Sequence, residues 1–247
     1  MTNASTRINN KKKYSNRSAT SWDRNALSTQ QLVAVLRGLH RRQPAHYNEV
    51  LICIRSAVDR NTIFLNSPFT ELQSIEVRDI VQLSVDGSSC ALESLSCPKV
   101  QMAVVAFQEN PDANAFIFIG SNDSEPFSLL GRRLEPISRH AVLWQGLQAN
   151  LSAAYQETGP SGAKFRELIS KSPYMIVQSE GICVCESSLE RALVAALAGD
   201  NACRLQLATA NASQLTLIPD AEIPGIRAFE MNTLLVERKM AGLCEYR

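Results

Sequence analysis

Histidine is scarce in this chain, with 3 in 247 residues, and aromatic side chains make up only 6% of it. Imidazole metal centres therefore have few donors to draw on, and base-stacking platforms have few rings. An excess of charge of either sign is also missing: 25 Lys and Arg stand against 24 Asp and Glu, a net charge of +1. Without a basic field there is no general grip on phosphate backbones, so no nucleic acid is expected as a partner. Uncharged apolar runs such as Ala115 to Gly120 and Met175 to Val177 fall far short of the ~20 residues a bilayer crossing needs, and no transmembrane segment is expected. Cysteine occurs 7 times, an odd count with no CxxC pair. Several of these thiols lie in apolar runs where they act as small hydrophobes, which suits a reducing, intracellular chain better than a disulfide framework.

What is present is the profile of one globular domain with a tail: 45% of residues are hydrophobic, and a chain this long buries roughly 70–75% of its unfolded surface. Met1 to Trp22 carries no acidic residue and five basic ones, Arg7, Lys11, Lys12, Lys13 and Arg17, amid Ser, Asn and Thr. Residues 1–27 are expected to be a disordered basic tail and residues 28–247 the domain. A solvated or partner-binding tail is one reading, a mitochondrial presequence the other.

Helical and extended patterns then alternate. Ser28 or Thr29 is placed to cap a helix whose Leu32, Val35, Leu36 and Leu39 share one face, and which closes on His40, Arg41 and Arg42. Val50 to Ile54, Thr62 to Leu65 and Ile80 to Val85 read as antiparallel strands, with a turn at Asp86-Gly87. Pro98 opens a second helix with Val100, Ala103, Val104 and Phe107 on its buried stripe, ended by Asn110-Pro111. Ala115 to Ile119 is apolar throughout, the pattern of a central strand covered on both faces. A helix near Gly162 to Ser170, strands at Tyr174 to Val177 and Ile182 to Cys185, and a helix from Ser188 to about Ala208 follow; Pro219 and Pro224 mark a connector before one terminal helix, Ile226 to Leu243. The fold class is α/β: a three-layer α/β/α sandwich with a largely antiparallel central sheet.

Several segments between residues 28 and 210 resemble the class II aldolase/adducin family. They are Thr62 to Phe69 followed by Asp79 to Gly87, Pro111 to Ala115, Ser128 to Ile137, and Met175 to Ala192 continuing into Ala202 to Leu207. Enzymes of that family hold a divalent metal, usually zinc, on three histidines, two of them an H-x-H on the central strand, with a glutamate to move protons. The resemblance puts these positions at Phe118, Gly120, Glu180 and Lys99. None of the four keeps the family residue, and the phosphate-binding Gly-Asn turn has no counterpart in the run Glu49 to Arg55, where Arg55 alone could meet an anion. The resemblance thus implies a degenerate pocket of Lys99, Phe118, Gly120 and Glu180, with no catalytic residue, no metal and no cofactor.

Lys99 and Glu180 are expected near one another, as a structural salt bridge or, alternatively, as a lysine of lowered pKa able to form a Schiff base in a repurposed metal-independent lyase. A vacated pocket holding a small ligand is a third reading. His40, His46 and His140 share no ligand spacing, and loop histidines are mostly solvated; Cys183 and Cys185 share a strand face, as core residues or soft-metal donors. Ser121 and Asp123 read as remnants of the pocket or as plain loop polarity. The aromatic at Phe118 brings the chain nearest to the noncatalytic adducin head, an oligomerisation module. What this implies is a cytoplasmic pseudoenzyme, a homo-oligomeric (tetrameric) scaffold with protein partners such as actin or spectrin and a cytoskeletal setting; a mitochondrial matrix location goes with the presequence reading. The sequence to Arg247 has no counterpart of the adducin neck or basic tail, so the head fold and self-association are the expected core of the likeness. Phe229, Leu234, Leu235 and Val236 on the terminal helix are the candidate packing face, the alternative being that this helix covers its own sheet.

Overall fold

Leu32, Val35, Leu36 and Leu39 are all buried on one side of α1 (Ser21–Arg42). This comes from a computed structural model that describes residues 21–43, 45–67, 70–86, 97–152 and 160–244. The basic segment before residue 21, Gly87 of the expected turn, and Pro68 and Phe69 lie outside the described residues. α1 starts ahead of Ser28 and Thr29, so neither caps it; the Thr29 hydroxyl instead donates back to the Asn25 carbonyl at 3.3 Å, a bond available inside a helix.

The sheet has seven strands: β1 (Tyr47–Arg55), β2 (Thr62–Asn66), β3 (Ile80–Ser84), β4 (Ala115–Ser121), β5 (Gln148–Leu151), β6 (Tyr174–Val177) and β7 (Gly181–Glu186). Their spatial order is β3-β2-β1-β4-β7-β6-β5, antiparallel except for the β5–β6 edge pair. β4 is central and buried along all its length, and its pleat feeds two separate cores. Phe116 and Phe118 point to the layer of α2 (Pro98–Glu109) and, after the short helices α3 (Ser124–Ser128) and α4 (Arg139–Val142), of α5 (Pro160–Ile169). Ala115, Ile117 and Ile119 point to the layer of α1 and α6 (Leu189–Ala208). Helices on both faces of a mostly antiparallel sheet are the expected α/β fold class.

Three points differ from the sequence reading, the first being that residues 21–27, expected in the tail, already belong to α1. β5 does not read as a strand because Gln148 and Asn150 are polar. Gln148 is nevertheless buried: its side-chain amide accepts from the Leu134 N–H and donates to the Leu134 carbonyl, each at 2.9 Å, so a neighbouring loop supplies the hydrogen bonds that burial demands. The single terminal helix is two, α7 (Ile223–Glu230), with Pro224 in its first turn, and α8 (Thr233–Cys244), parted where the Asn232 side chain accepts from the Leu234 N–H at 3.0 Å. α8 turns Val236, Met240 and Leu243 inward against α1 and α6 rather than onto the sheet. Phe229 and Leu234 stay 54% and 69% exposed.

α6 is docked by a missing methyl group. The buried Trp144 indole donates to the Ala195 carbonyl at 2.9 Å and lies flat on Gly199, where a Cβ would come within 2.3 Å of the ring. Gly199→Ala should therefore overpack this joint at a cost of roughly 1–3 kcal/mol. The thermal midpoint is expected to fall by several degrees relative to the parent chain, at about 2–4 °C per kcal/mol for a chain of this size; an unchanged midpoint in a calorimetric scan would show that Trp144 does not fix the helix.

Candidate functional site

The two faces of β4 emerge at its C-terminal end as two charged clusters. On the α2 side the strand ends in Gly120, which lies opposite Glu49 of β1. A Cβ on Gly120 would stand 2.7 Å from Glu125 Oε1 and 2.9 Å from the Glu180 carbonyl oxygen, so the absent side chain lets α3 and the β6–β7 turn close over the strand. That turn is tight: Ser179 adopts a left-handed φ of 65°, and Gly181, at φ 129°, has no room for a Cβ, which would lie 2.2 Å from the Ile119 carbonyl oxygen. It delivers Glu180 to the first turn of α2.

There Lys99 Nζ lies 2.8 Å from Glu180 Oε2 and 3.1 Å from Glu49 Oε2, and 5.5 Å from the centre of the Phe118 ring. Lys99 and Glu180 are mostly buried, while the Glu49 side chain is 37% exposed. Burial alone would lower the lysine pKa, but the two carboxylates outweigh it and hold the ammonium above its ordinary value. A nucleophilic lysine needs the opposite shift, so the Schiff-base alternative loses its premise. The donor set does not suit a divalent cation either: Phe118 offers a ring face, Gly120 offers nothing, and a positive charge already stands among the carboxylates. With Glu49 and Glu180 on one lysine, the cluster carries more negative than positive charge.

Arg55, at the far end of β1, does not reach it: six residues along a strand is about 20 Å. Its guanidinium stacks 4.8 Å over Phe107 and donates to the carbonyls of Ala113 at 2.9 Å, Phe107 at 3.0 Å and Arg60. It holds backbone rather than an anion. Cys183 and Cys185 are buried beside Phe118, Phe116 and Cys53; burial pushes both thiols up, Cys185 to about 12, and they join no cluster of metal donors among the described residues.

Ser121 follows Gly120 in sequence but faces the α6 side, so Ser121 and Asp123 are not part of the Lys99 pocket. The Ser121 hydroxyl donates to Asp200 Oδ1 and accepts from the Ser124 N–H at 2.9 Å. Asp200 Oδ2 is 2.6 Å from His46 Nε2, which is 3.8 Å from Asp123 Oδ2. His46 is therefore not a solvated loop histidine; His40 and His140 join no such group among the described residues. Burial, then the Asp200 carboxylate, push the Asp123 carboxyl up, against the pull of His46 and Arg204. Sequence spacing missed this cluster, although it held a signal: Asp200 is an acid inside the apolar stripe of α6, between Leu197 and Cys203, and a charge at a core position requires a partner.

The family described as the class II aldolase and adducin N-terminal domain matches residues 30–207. No curated protein matches the chain. Among solved structures, L-fuculose 1-phosphate aldolase from Glaciozyma antarctica PI12 superposes with a TM-score of 0.77 at 16% identity, over 92% of this chain and 90% of that one. An aldolase II superfamily protein from Pseudomonas syringae gives 0.74 at 18% identity, over 90% and 92%, and YgbL from Escherichia coli gives 0.68 at 14%, over 81% and 98%. At these identities the likeness is one of fold.

Breaking a buried ion pair costs roughly 3–5 kcal/mol and an exposed one under ~1; with Glu49 half in solvent, Lys99→Met should lie between these at neutral pH. Because the folded lysine pKa is raised above its ordinary 10.5, the stability it contributes is fully present below that value and lost as pH rises through the folded pKa. Thermal midpoints of parent and variant are expected to converge above about pH 10.5; a constant gap across that range would show that Lys99 is not the titrating link.

Proposed function

The chain belongs to the class II aldolase and adducin N-terminal domain family, and we propose that it is a noncatalytic member, nearest to the adducin-head branch, that serves as a self-associating scaffold. The observation that carries the reading is the Lys99 ammonium held between Glu49 and Glu180, where the family likeness puts the metal and its proton-moving glutamate. An ion-paired ammonium cannot act as a Lewis acid, and the two carboxylates that touch it are engaged with its charge rather than free to take a proton from carbon. The surplus of carboxylates argues in the same direction against a sugar-phosphate substrate. What the cluster does is mechanical: it joins α2, β1 and the β6–β7 turn through charges whose partners leave few alternative packings, a gain in specificity more than in stability.

Phe229 and Leu234, exposed on α7 and α8, are the side chains a self-contact would bury. Homotetramers, which follow from the family likeness, belong to the same proposal, as do cytoplasmic protein partners of the actin or spectrin kind and a cytoskeletal setting, which follow from the adducin likeness. A basic tail ahead of α1, read from composition, and a degenerate pocket of Lys99, Phe118, Gly120 and Glu180, read from the wider family likeness, belong to it too.

Two measurements test it. With L-fuculose 1-phosphate and added zinc, aldol cleavage is expected to stay at the level of the protein-free control, and turnover lost in Lys99→Met would overturn the noncatalytic reading. Native mass spectrometry of chain purified without chelator is expected to give a homo-oligomer or a stable hetero-complex; a lone monomer at all concentrations would remove the scaffold role.

A further inference from the structure

We propose that His46, Asp123 and Asp200 form a binding site for a divalent transition-metal ion such as zinc, on the face of the sheet opposite the Lys99 cluster. It uses no residue of that pocket and does not depend on the reading above. The three side chains come from separate elements: His46 just ahead of β1, Asp123 from the loop between β4 and α3, and Asp200 from the middle of α6. Their ligand atoms all lie within 4.8 Å of one another. Tetrahedral zinc with bonds of 2.0–2.2 Å sets neighbouring ligands roughly 3.4 Å apart. The His46–Asp200 and His46–Asp123 separations of 2.6 Å and 3.8 Å bracket that value, so small side-chain rotations would seat the ion.

The charge is right as well as the spacing. One neutral imidazole and two carboxylates carry −2, and although Arg42 and Arg204 line the same groove, neither is in ion-pair contact with Asp123 or Asp200, so the ligand oxygens are left to the ion. One nitrogen and two oxygens suit a borderline ion such as zinc better than calcium or magnesium, which favour sets built from oxygen alone.

The surrounding bonds orient the ligands in the way outer partners do at metal centres. Asp200 is only 4% exposed, and its second oxygen takes the Ser121 hydroxyl, itself aligned by the Asp123 and Ser124 N–H groups at 3.2 Å and 2.9 Å. The loop that carries His46 is tied to the loop that carries Asp123: the Asn122 N–H donates to the His46 carbonyl and the Asn122 side-chain amide to the Ala45 carbonyl, both at 3.0 Å. The His46 ring is held edge-on by Tyr47 at 4.7 Å. A groove of about 340 Å³, lined by the three ligands with Tyr47, Arg42 and Arg204, gives the ion a path in. Three protein ligands facing a groove, rather than a fourth side chain, is the count of an open site that completes its coordination with water.

The full chain, stripped with EDTA and desalted, is titrated with zinc chloride by calorimetry and weighed by native mass spectrometry. One zinc per chain is expected. His46→Ala and Asp123→Asn, both at partly exposed side chains so that folding can be verified by circular dichroism, should each weaken binding by at least roughly tenfold, the lower bound for loss of even an outer partner. Lys99→Met should leave binding unchanged, which separates this site from the pocket on the other face. With cobalt in place of zinc, the absence of a strong thiolate-to-metal absorption band is expected and excludes capture by the buried cysteines. No zinc uptake in excess zinc, uptake that both ligand variants leave intact, or a strong thiolate band would each overturn the proposal and leave the cluster a hydrogen-bonded lock.

Discussion

Two adjacent residues at the end of one strand, Gly120 and Ser121, are driven to opposite sides of the molecule by the pleat of β4, and both charged clusters hang on that alternation. Because β4 is buried on both faces, it must be covered twice. α2 does this on one side, and α6 with the short α3 on the other. Only where the strand runs out of cover can polar groups approach it, and there the absent side chain of Gly120 admits Glu125 and Glu180 while the Ser121 hydroxyl reaches Asp200.

The two clusters solve the same electrostatic problem with different means. Lys99 sits in the first turn of α2, where the helix dipole disfavours a cation, and carboxylates from β1 and the β6–β7 turn offset both that and its burial. Asp200 sits in the middle of a helix, away from either end of the dipole, and depends wholly on side chains brought from other elements. In each case removing one partner strands a charge in a low-dielectric layer, so the partners hold each other's backbones in place.

Much of the fold was legible because burial wrote itself into spacing. Leu32, Val35, Leu36 and Leu39 announce a helix, the unbroken apolar run at Ala115 announces a doubly covered strand, and Pro98 marks a helix start. Where polar residues do interior work the signal failed: Gln148 satisfies itself on the Leu134 backbone, and nothing in its neighbours hints at this. The termini of helices were harder still, since Thr29 can cap or bond backwards with equal ease and Asn232 breaks a continuous amphipathic pattern with one side-chain bond. At the site, Lys99 and Glu180 could be named together because both stand at positions marked by a family likeness. Their third partner, Glu49, depends on the register of β1 against β4, which no local pattern states. His46 and Asp200 are 154 residues apart and meet only through packing.

The thiols add a property that follows from the double core. Cys53, Cys183 and Cys185 lie in the layer beneath α2, and Cys203, on α6 itself, lies in the core of the other face, all without disulfides. Burial keeps each of them protonated at physiological pH, so an alkylating reagent has no thiolate to attack while the layers are shut. Any modification at Cys203 therefore records a breath of one side of the sandwich, and any at Cys53 a breath of the other. Each face of the central strand thus carries its own chemical reporter of opening.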